Sequence, residues 1–379
     1  MATGALREPE GYCLMPERHS KSRTVIRAAT MVLPPHLIPQ IHPPATDVSG
    51  WKVALLHNAR PGIVANGQPD DLFEEYDCDE TIASIQDALQ ELVDRVVPVA
   101  ADRSLPRTLA AGGFQFAFNI AEGAGRRCRE AIPAAVCELM GLSFSGSDLL
   151  TLGLTLDKSM ARRVVGSEMR LPRAVLVERE SDFPGLGDLS YPVIVKPNDE
   201  GSSKGIRDDP IADDAFAARR RCEWLREQYG CPAIVEEFVD GTEVTVGIIG
   251  NTPDERILGI MEIEPVGSSA RFVYSLEVKR DWRRRVVYHV PPRLGEAAVA
   301  EIGDLAIKAF RLLGCRDFAR MDFRLDGSGR LFFLECNALP GLNSANSDMV
   351  LLSRHAITHR QLVQGIFLEA VRRCAVARP

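Results

Sequence analysis

Hydrophobic and polar positions along this chain follow two rhythms. Trp51–His57 (WKVALLH) is a nearly unbroken apolar run of strand length. Residues 81–96 then place Ile82, Ile85, Leu89, Leu92 and Val96 at helical spacing. Val97–Val99 and Phe114–Asn119 (FQFAFN) read as a second and a third strand, and Ala131–Met140 as a helix ended by Gly141. Strands alternating with helices predict a parallel α/β sheet. A helical stretch is expected from Asp148 to about Glu168. Tyr191–Pro197 (YPVIVKP) is a strand entering a Gly/Ser loop, and Asp213–Tyr229 a helix. Ala233–Val239, Glu243–Ile249 and Arg256–Ile263 read as strands of one antiparallel sheet. Glu296–Leu313 and Thr358–Cys374 are amphipathic helices, and there is no internal repeat.

The first 48 residues lack either rhythm. They carry Pro9, Pro16, Pro34, Pro35, Pro39, Pro43 and Pro44 and read as a disordered leader. Their basic residues are offset by Glu8, Glu10 and Glu17, with no clean apolar core, which argues against a secretory signal. Met1, Met15 and Met31 all remain open as the start of translation.

Whole-chain numbers narrow the picture further. At 379 residues the chain can hold two or three domains with substantial cores. Hydrophobic content of 45% and charged content of 26% are ordinary for a globular protein. A net charge of −7 argues against nucleic acid as a partner. The nine cysteines form no CxxC pair, as expected of reduced thiols in a cytoplasmic protein without a zinc framework. No apolar run approaches the roughly 18 residues of a membrane span.

The richest chemistry lies in Phe318–Phe323 (FARMDF) and Phe333–Asn337 (FLECN), two alternating runs joined by Asp326, Gly327, Ser328 and Gly329. They read as an antiparallel hairpin. If Leu325 faces Arg330, then Asp322 faces Phe333 and Arg320 faces Glu335. Arg320, Asp322, Glu335 and Asn337 then share one face, while Met321, Phe323, Leu334 and Cys336 face the core. Two carboxylates and an amide suit Mg²⁺, and an arginine beside them can neutralise a transferring phosphoryl group. The same spacing also fits a solvated face laced with ion pairs.

Three further signals precede the hairpin. Lys196–Gly205 (KPNDEGSSKG) delivers a lysine into a small-residue loop whose backbone N–H groups can approach phosphate. It lacks the GxxxxGK[ST] spacing. Val235–Glu243 (VEEFVDGTE) is strand, tight turn, strand; its backbone beside acidic side chains could read an adenine edge and a ribose, or form a plain acidic-rimmed hairpin. Lys158 is a lysine on a helix, of the kind that is commonly just solvated.

Taken together, the order of these motifs resembles the ATP-grasp superfamily, and within it the D-alanine–D-alanine ligase family, over roughly residues 51–375. The segments VIVKPNDEGSSKGI, VEEFVDGTEVTVGIIG and FARMDFRLDGSGRLFFLECNALPGLN carry the resemblance. It implies an α/β protein with an α+β C-terminal part. The expected pieces are a Rossmann-like pre-ATP-grasp domain at 49–148, a central lid at 149–232 and a catalytic domain at 233–379. It also implies that Lys158 and Lys196 bind nucleotide phosphates under Ser202 and Ser203. Glu236 would meet the adenine amino group, Glu237, Phe238 and Val239 the ring through backbone, and Glu243 the ribose. Lys279 looks like the γ-phosphate lysine, Arg320 like the transition-state arginine, and Asp322, Glu335 and Asn337 like ligands for Mg²⁺ or Mn²⁺. Gly341 would lie in the acceptor turn. The implied cofactor is ATP; the implied reaction joins a carboxylate to an amine through an acyl phosphate, releasing ADP and phosphate. Homodimers are usual in the resembled family. The lid would comprise the Glu200–Gly205 loop and residues 268–288.

On the substrate side the chain departs from the family. The glutamate of the family's E-V-S stretch falls near Tyr76, within Glu74–Asp79. The "LHG" stretch becomes Ala121–Glu122–Gly123, followed by Arg126, Arg127 and Arg129. The tyrosine after the lid lysine becomes Arg280, and the serine for the second substrate's carboxylate falls near Asn346. The expectation is therefore a ligase whose substrates are not both D-alanine, with these arginines able to hold an extra substrate carboxylate. True D-alanine–D-alanine ligation, a nucleotide-binding relative without ligase activity, and a phosphotransferase on the same fold are the alternatives.

Overall fold

The computed structural model describes residues 46–62, 67–207, 209–267 and 271–376. The leader expected over 1–48 therefore falls, up to residue 45, outside the described residues. The candidate starts Met15 and Met31 and residues 268–270 of the expected lid fall outside them too.

The chain opens with β1 (Lys52–His57), α1 (Asp79–Gln90), β2 (Arg95–Ala100), α2 (Leu105–Gly112), β3 (Phe116–Asn119) and α3 (Ala131–Leu139). The three strands form a parallel sheet in the order β2-β1-β3. β1 is central, so Val53, Ala54, Leu55 and Leu56 are all fully buried, which explains the unbroken apolar run. The helical stretch expected from Asp148 to Glu168 is two helices, α4 (Leu149–Leu156) and α5 (Lys158–Val165). Asp148 caps the first by accepting from the Thr151 N–H at 3.0 Å. Asp157 leaves helical geometry and caps the second, accepting from the Met160 N–H at 3.1 Å. That break places Lys158 at the first position of α5.

Next come β4 (Ala174–Val177), a 3₁₀ segment at Glu180–Asp188, β5 (Val193–Pro197), β6 (Ile211–Ala212), α6 (Ala215–Tyr229) and β7 (Ala233–Glu237). These strands form a four-stranded antiparallel sheet, β4-β7-β5-β6. Ala233–Val239 was expected beside the strands that follow it. Instead β7 pairs with β4 and β5, and a boundary before Ala233 would cut this sheet.

The last part holds β8 (Gly241–Gly250), β9 (Arg256–Pro265), α7 (Leu276–Arg280), α8 (Trp282–Arg285), β10 (Val286–His289), α9 (Glu296–Leu312), β11 (Asp317–Asp326), β12 (Leu331–Asn337), α10 (Asp348–Ser353) and α11 (His359–Val376). Its antiparallel sheet runs β10-β9-β8-β11-β12. One continuous apolar core joins this sheet to the N-terminal one, with Phe116 edge-on to Phe367 at 5.3 Å. The central sheet has a separate core of Val177, Leu186, Val193, Val195, Cys222, Leu225 and Val235. Two sheets are thus welded together while the third packs around a core of its own. Among the described residues no helix is long and apolar enough to cross a membrane. The cysteines described are all free thiols.

Candidate active site

The β11–β12 hairpin sets one wall of the cleft. Arg320 stands opposite Asn337 and Asp322 opposite Glu335. The register then shifts, so that Phe323 opposes Phe333 and Leu325 opposes Leu331. The expected pairs, Asp322 with Phe333 and Arg320 with Glu335, are two residues off at the site. A shift of two preserves the face, so all four polar side chains still share it. One residue of the offset arises at the turn, where Leu325 faces Leu331 and not Arg330, and the second is a bulge in which Leu334 is the extra residue. It also corrects the core: Phe333 is buried, packing edge-on to Phe323 at 5.7 Å, and Leu334 is half-buried.

Arg320 organises this face. Its Nη2 donates to Asp322 Oδ2 at 2.7 Å and its Nη1 to Asp348 Oδ2 at 2.7 Å, and it lies 3.6 Å from Glu335 Oε1. The other oxygen of Asp322 accepts from the Thr245 hydroxyl at 2.8 Å. Burial pushes the Asp322 carboxyl up, against the pull of Arg320 and with the help of Glu335. Burial acts on Glu335 the same way, but Lys158, Lys196 and Arg320 outweigh it and hold that carboxyl below its usual range. Asp348 and Thr245 come from α10 and β8, and no motif around the hairpin points to either.

Among the described residues no three His, Cys, Asp or Glu side chains gather to hold a metal. The donor set here is two cross-strand carboxylates and the Asn337 amide. Asn337 Oδ1 accepts from the Leu339 N–H at 2.9 Å, leaving one lone pair. Hard oxygen donors in that number suit a Mg²⁺ that keeps water and phosphate in its other positions.

Opposite the hairpin lie the lysines and the Gly/Ser loop. Lys158, buried, donates to the Glu200 carbonyl and sits 3.6 Å from Glu335. Lys196 reaches Glu236 Oε2 at 2.5 Å, and Arg162, on α5 and outside the sequence motifs, takes Glu236 Oε1 at 2.8 Å. Ser202 and Ser203 have φ of 53° and 57°, a left-handed conformation uncommon outside glycine. Ser203 Oγ donates to the Tyr274 carbonyl at 2.9 Å, and the Leu276 N–H to the Ile206 carbonyl at 2.9 Å. The loop and the segment before α7 are therefore zipped together. Lys279, on α7, is half-buried, and among the described residues its ammonium group has no hydrogen bond or ion pair. Burial lowers its ammonium pKa, partly offset by Glu74 and Asp348 nearby.

At the Glu236–Glu243 turn, the N–H groups of Glu237 and Phe238 are spent on the carbonyls of Arg173 and Pro192. Only the Val239 N–H of the three expected backbone positions lacks a partner among the described residues. The Glu237 carboxylate turns away to the Ser190 N–H at 2.9 Å. Arg324 ties this corner together. It donates to the Val239 carbonyl at 2.8 Å, to Glu243 Oε2 at 2.9 Å and to the Phe272 carbonyl at 2.6 Å, and it covers the Phe238 ring. Arg324 continues the Arg320, Asp322 alternation along β11, so the period-two pattern could have revealed it.

The substrate side corrects more expectations. The acidic group there is Glu75, one residue before Tyr76: it accepts from the Gly201 N–H at 2.7 Å, while Tyr76 donates to the Gly123 carbonyl at 3.0 Å. None of the four arginines expected to hold a substrate carboxylate is free for it. Arg126 donates to the Gly230 carbonyl, Arg127 to Asp157 at 2.6 Å and Arg129 to Glu75 at 2.7 Å. Arg280 donates to Asp70 at 2.6 Å and to Glu74 at 2.8 Å. Glu122 is half-buried at the edge of the N-terminal sheet. Gly341 and Asn346 are exposed; beside Asn346, the buried Ser347 hydroxyl has no partner among the described residues. Asn343 joins their loop to α1 through the Thr81 hydroxyl at 2.8 Å.

Residues 177–367 match the family model of the D-ala D-ala ligase C-terminus. The D-alanine–D-alanine ligase of Cupriavidus metallidurans is 30% identical over 264 residues, covering 69% of this chain and 77% of the relative. The uncharacterized protein y4sG of Sinorhizobium fredii is 28% identical over 300 residues, 78% of this chain and 87% of the relative. The crystal structure of D-alanine–D-alanine ligase from Bacillus anthracis complexed with ATP aligns with a TM-score of 0.66 at 18% identity, over 87% of this chain and 100% of that one. The chain belongs to the D-alanine–D-alanine ligase family and is an ATP-grasp ligase forming carbon–nitrogen bonds.

Proposed function

We propose that this protein activates a carboxylate with ATP, as an acyl phosphate, and couples it to an amine, releasing ADP and phosphate, with substrates that are not both D-alanine. The observation that carries the reading is the convergence of Arg320, Asp322 and Glu335 with Lys158, Lys196 and the unpaired Lys279 on one cleft. A carboxylate is a poor acyl donor because oxide would have to leave. Its attack on the γ-phosphate replaces oxide with phosphate as the eventual leaving group, but brings two anions together. Lys158 and Lys196 would hold the phosphates, and Lys279 and Arg320 would meet the charge that develops. Asp322, Glu335 and Asn337 would hold Mg²⁺, which supplies charge neutralisation on the phosphate oxygens. The Val239 N–H is left for the adenine edge, with Glu236 beside it and Glu243 on the ribose. The strained Ser202–Ser203 turn would close over the phosphates and shield the acyl phosphate from water. On the acceptor side, the unpartnered Ser347 hydroxyl, rather than Asn346, would meet the second substrate's carboxylate near Gly341.

The test is a screen of ADP and phosphate release against pairs of D- and L-amino acids, with Asp322→Ala as the blank. Release that depends on an added amino acid supports the reading. AMP and pyrophosphate as products, or a blank as active as wild type, would overturn it. If D-alanine alone gives the fastest turnover, the substrates are those of the Cupriavidus relative.

A further inference from the structure

Where β1 and β3 end, the open edge of the parallel sheet faces the Gly/Ser loop, the place where α/β folds bind ligands. Carboxyl groups gather there around Arg129: Glu75, Glu122, Glu130, Asp199 and Glu200. Two cations lie among them. Arg129, buried, takes both oxygens of Glu75 at 2.8 and 2.7 Å, the Asp199 carbonyl at 2.7 Å and Glu200 at 3.1 Å. Lys204, also buried, takes Glu200 at 2.7 Å and lies 4.0 Å from Glu75. Lys158 at the rim is already committed to the Glu200 carbonyl and to Glu335.

That leaves carboxylates over. Glu130 is only 7% exposed, yet among the described residues its carboxyl group accepts no hydrogen bond and has no ion pair. It stands at the N-cap of α3 without using its side chain as a cap. Glu122 is likewise without a partner and lies within electrostatic reach of Glu130. Independently, Asp199 Oδ1 is buried with no partner among the described residues, as are His57 Nδ1 and Asn119 Nδ2 at the last residues of β1 and β3. Burial, reinforced by neighbouring carboxylates and only partly opposed by Arg129 and, at Glu130, by Lys158, raises Glu122 well above its usual range and pushes Glu130 up to about 8. A buried carboxylate without a cation is costly, and the cost is relieved by a ligand that brings positive charge.

Resting on the ligase reading above, we infer that the first, carboxylate-donating substrate is a diamino or otherwise dicationic amino acid, whose α-ammonium and side-chain cation are held by Glu122 and Glu130. Its carboxylate points along the cleft toward Lys158, Lys279 and Arg320. Alanine would bring one cation to a pocket built for two. The expectation from the Arg-rich sequence is inverted: the arginines are spent, and the surplus is acidic.

The experiment pairs diaminopropionate, ornithine and lysine, in both stereoisomers, against the isosteric neutral acids 2-aminobutyrate, norvaline and norleucine. Each is tested as sole donor in the ADP-release assay and by equilibrium binding in the presence of a non-hydrolysable ATP analogue and Mg²⁺. A cationic preference of at least about tenfold is expected in binding and in kcat/KM. Glu130→Gln and Glu122→Gln should each lower that ratio, with folding confirmed by melting curves. Equal binding of cationic and neutral partners, or a ratio unmoved in both variants, overturns the inference even where ADP release proves the protein a ligase. Selective binding of the diamino acid without ADP release upholds the pocket and sinks the ligase reading instead.

Discussion

Around β11 and β12 every acidic side chain of the site touches a cation. Asp322 and Asp348 share Arg320, Glu335 lies beside Lys158, Glu236 is gripped by Lys196 and Arg162, and Glu243 by Arg324. Across the cleft, at the edge of the N-terminal sheet, Arg129 and Lys204 satisfy Glu75 and Glu200, while Glu122 and Glu130 pair with no cation among the described residues. The first wall is electrically closed before its ligand arrives. The second is open, and its unpaired carboxyl groups describe what it is waiting for. A ligand common to a whole family can be met by a matched set within short motifs; a substrate peculiar to one member is met by residues left unmatched.

The sharpest way to break this contrast is to remove the one guanidinium that holds the open side together. Arg129→Met leaves Glu75, Asp199 and Glu200 buried without their shared partner, and Met keeps most of the volume. Breaking a buried pair in this way costs about 3–5 kcal/mol. Urea unfolding should therefore shift far to lower midpoint. A change below about 1 kcal/mol would mean that this cluster is already solvated and the contrast false.

On the closed side the loss should appear in rate rather than in stability. Arg320→Ala and Asp322→Ala each remove one preorganised group from the phosphate chemistry, and kcat should fall about 10²–10³-fold. Because Arg320 also neutralises Asp322 and Asp348, the double variant should lose much less than the product of the two single losses. Strict additivity in the double cycle would show that the two side chains act apart.

The same contrast separates what was legible in the sequence from what was not. The hairpin face could be read because Arg320, Asp322, Glu335 and Asn337 lie on two adjacent strands, where alternation alone decides which way a side chain points. The bulge at Leu334 could not, since running the alternation of Glu335 and Asn337 back toward the turn buries Leu334, whereas the extra residue breaks that alternation and buries Phe333 instead. β7 was placed in the wrong sheet because its apolar content is the same on either side of the Asp240–Gly241 turn. Asp348, Thr245 and Arg162 join the site from helices and strands far along the chain, with no local pattern to mark them. The arginines at 126, 127, 129 and 280 were visible, but their partners were not: Gly230, Asp157, Glu75 and Asp70 are brought to them by the fold alone.

A pH series probes the open side more gently. Burial, with Glu75 and Glu200 adding and Arg129 and Lys158 opposing, pushes Glu130 up to about 8 from 4.5. Glu122 faces it as well. Between those values the folded protein binds more protons at Glu130 than the unfolded chain does. Its contribution therefore favours the fold least at high pH: stability is lost as pH rises through this window and regained as pH falls. Glu130→Gln should flatten that part of the profile in urea midpoints measured from about pH 5 to about pH 8. An unchanged slope would mean that Glu130 ionises normally and has water around it.

The smallest expected effect tests how the two walls are brought together. Arg280 on α7 reaches Asp70 at 2.6 Å and Glu74 at 2.8 Å, and Arg207 meets the same Asp70 at 2.5 Å. Just inside, the buried Asp71 accepts from Tyr229 at 2.9 Å and from the Gly205 N–H at 3.0 Å. These contacts tie α7 and the end of the Gly/Ser loop to the N-terminal part, and they carry Lys279, next in sequence to Arg280, over the cleft. Asp70 and Arg280 are largely solvent-exposed, so each such pair is worth about 0.2–1 kcal/mol and weakens as salt screens it. Arg280→Ala should therefore raise KM only about two- to fivefold with kcat little changed. The wild-type KM should climb toward the variant's as ionic strength rises, while the variant's stays flat. A loss confined to kcat and indifferent to salt would place Arg280 on the reacting substrate, as the substitution of the family tyrosine first suggested, and not in a latch.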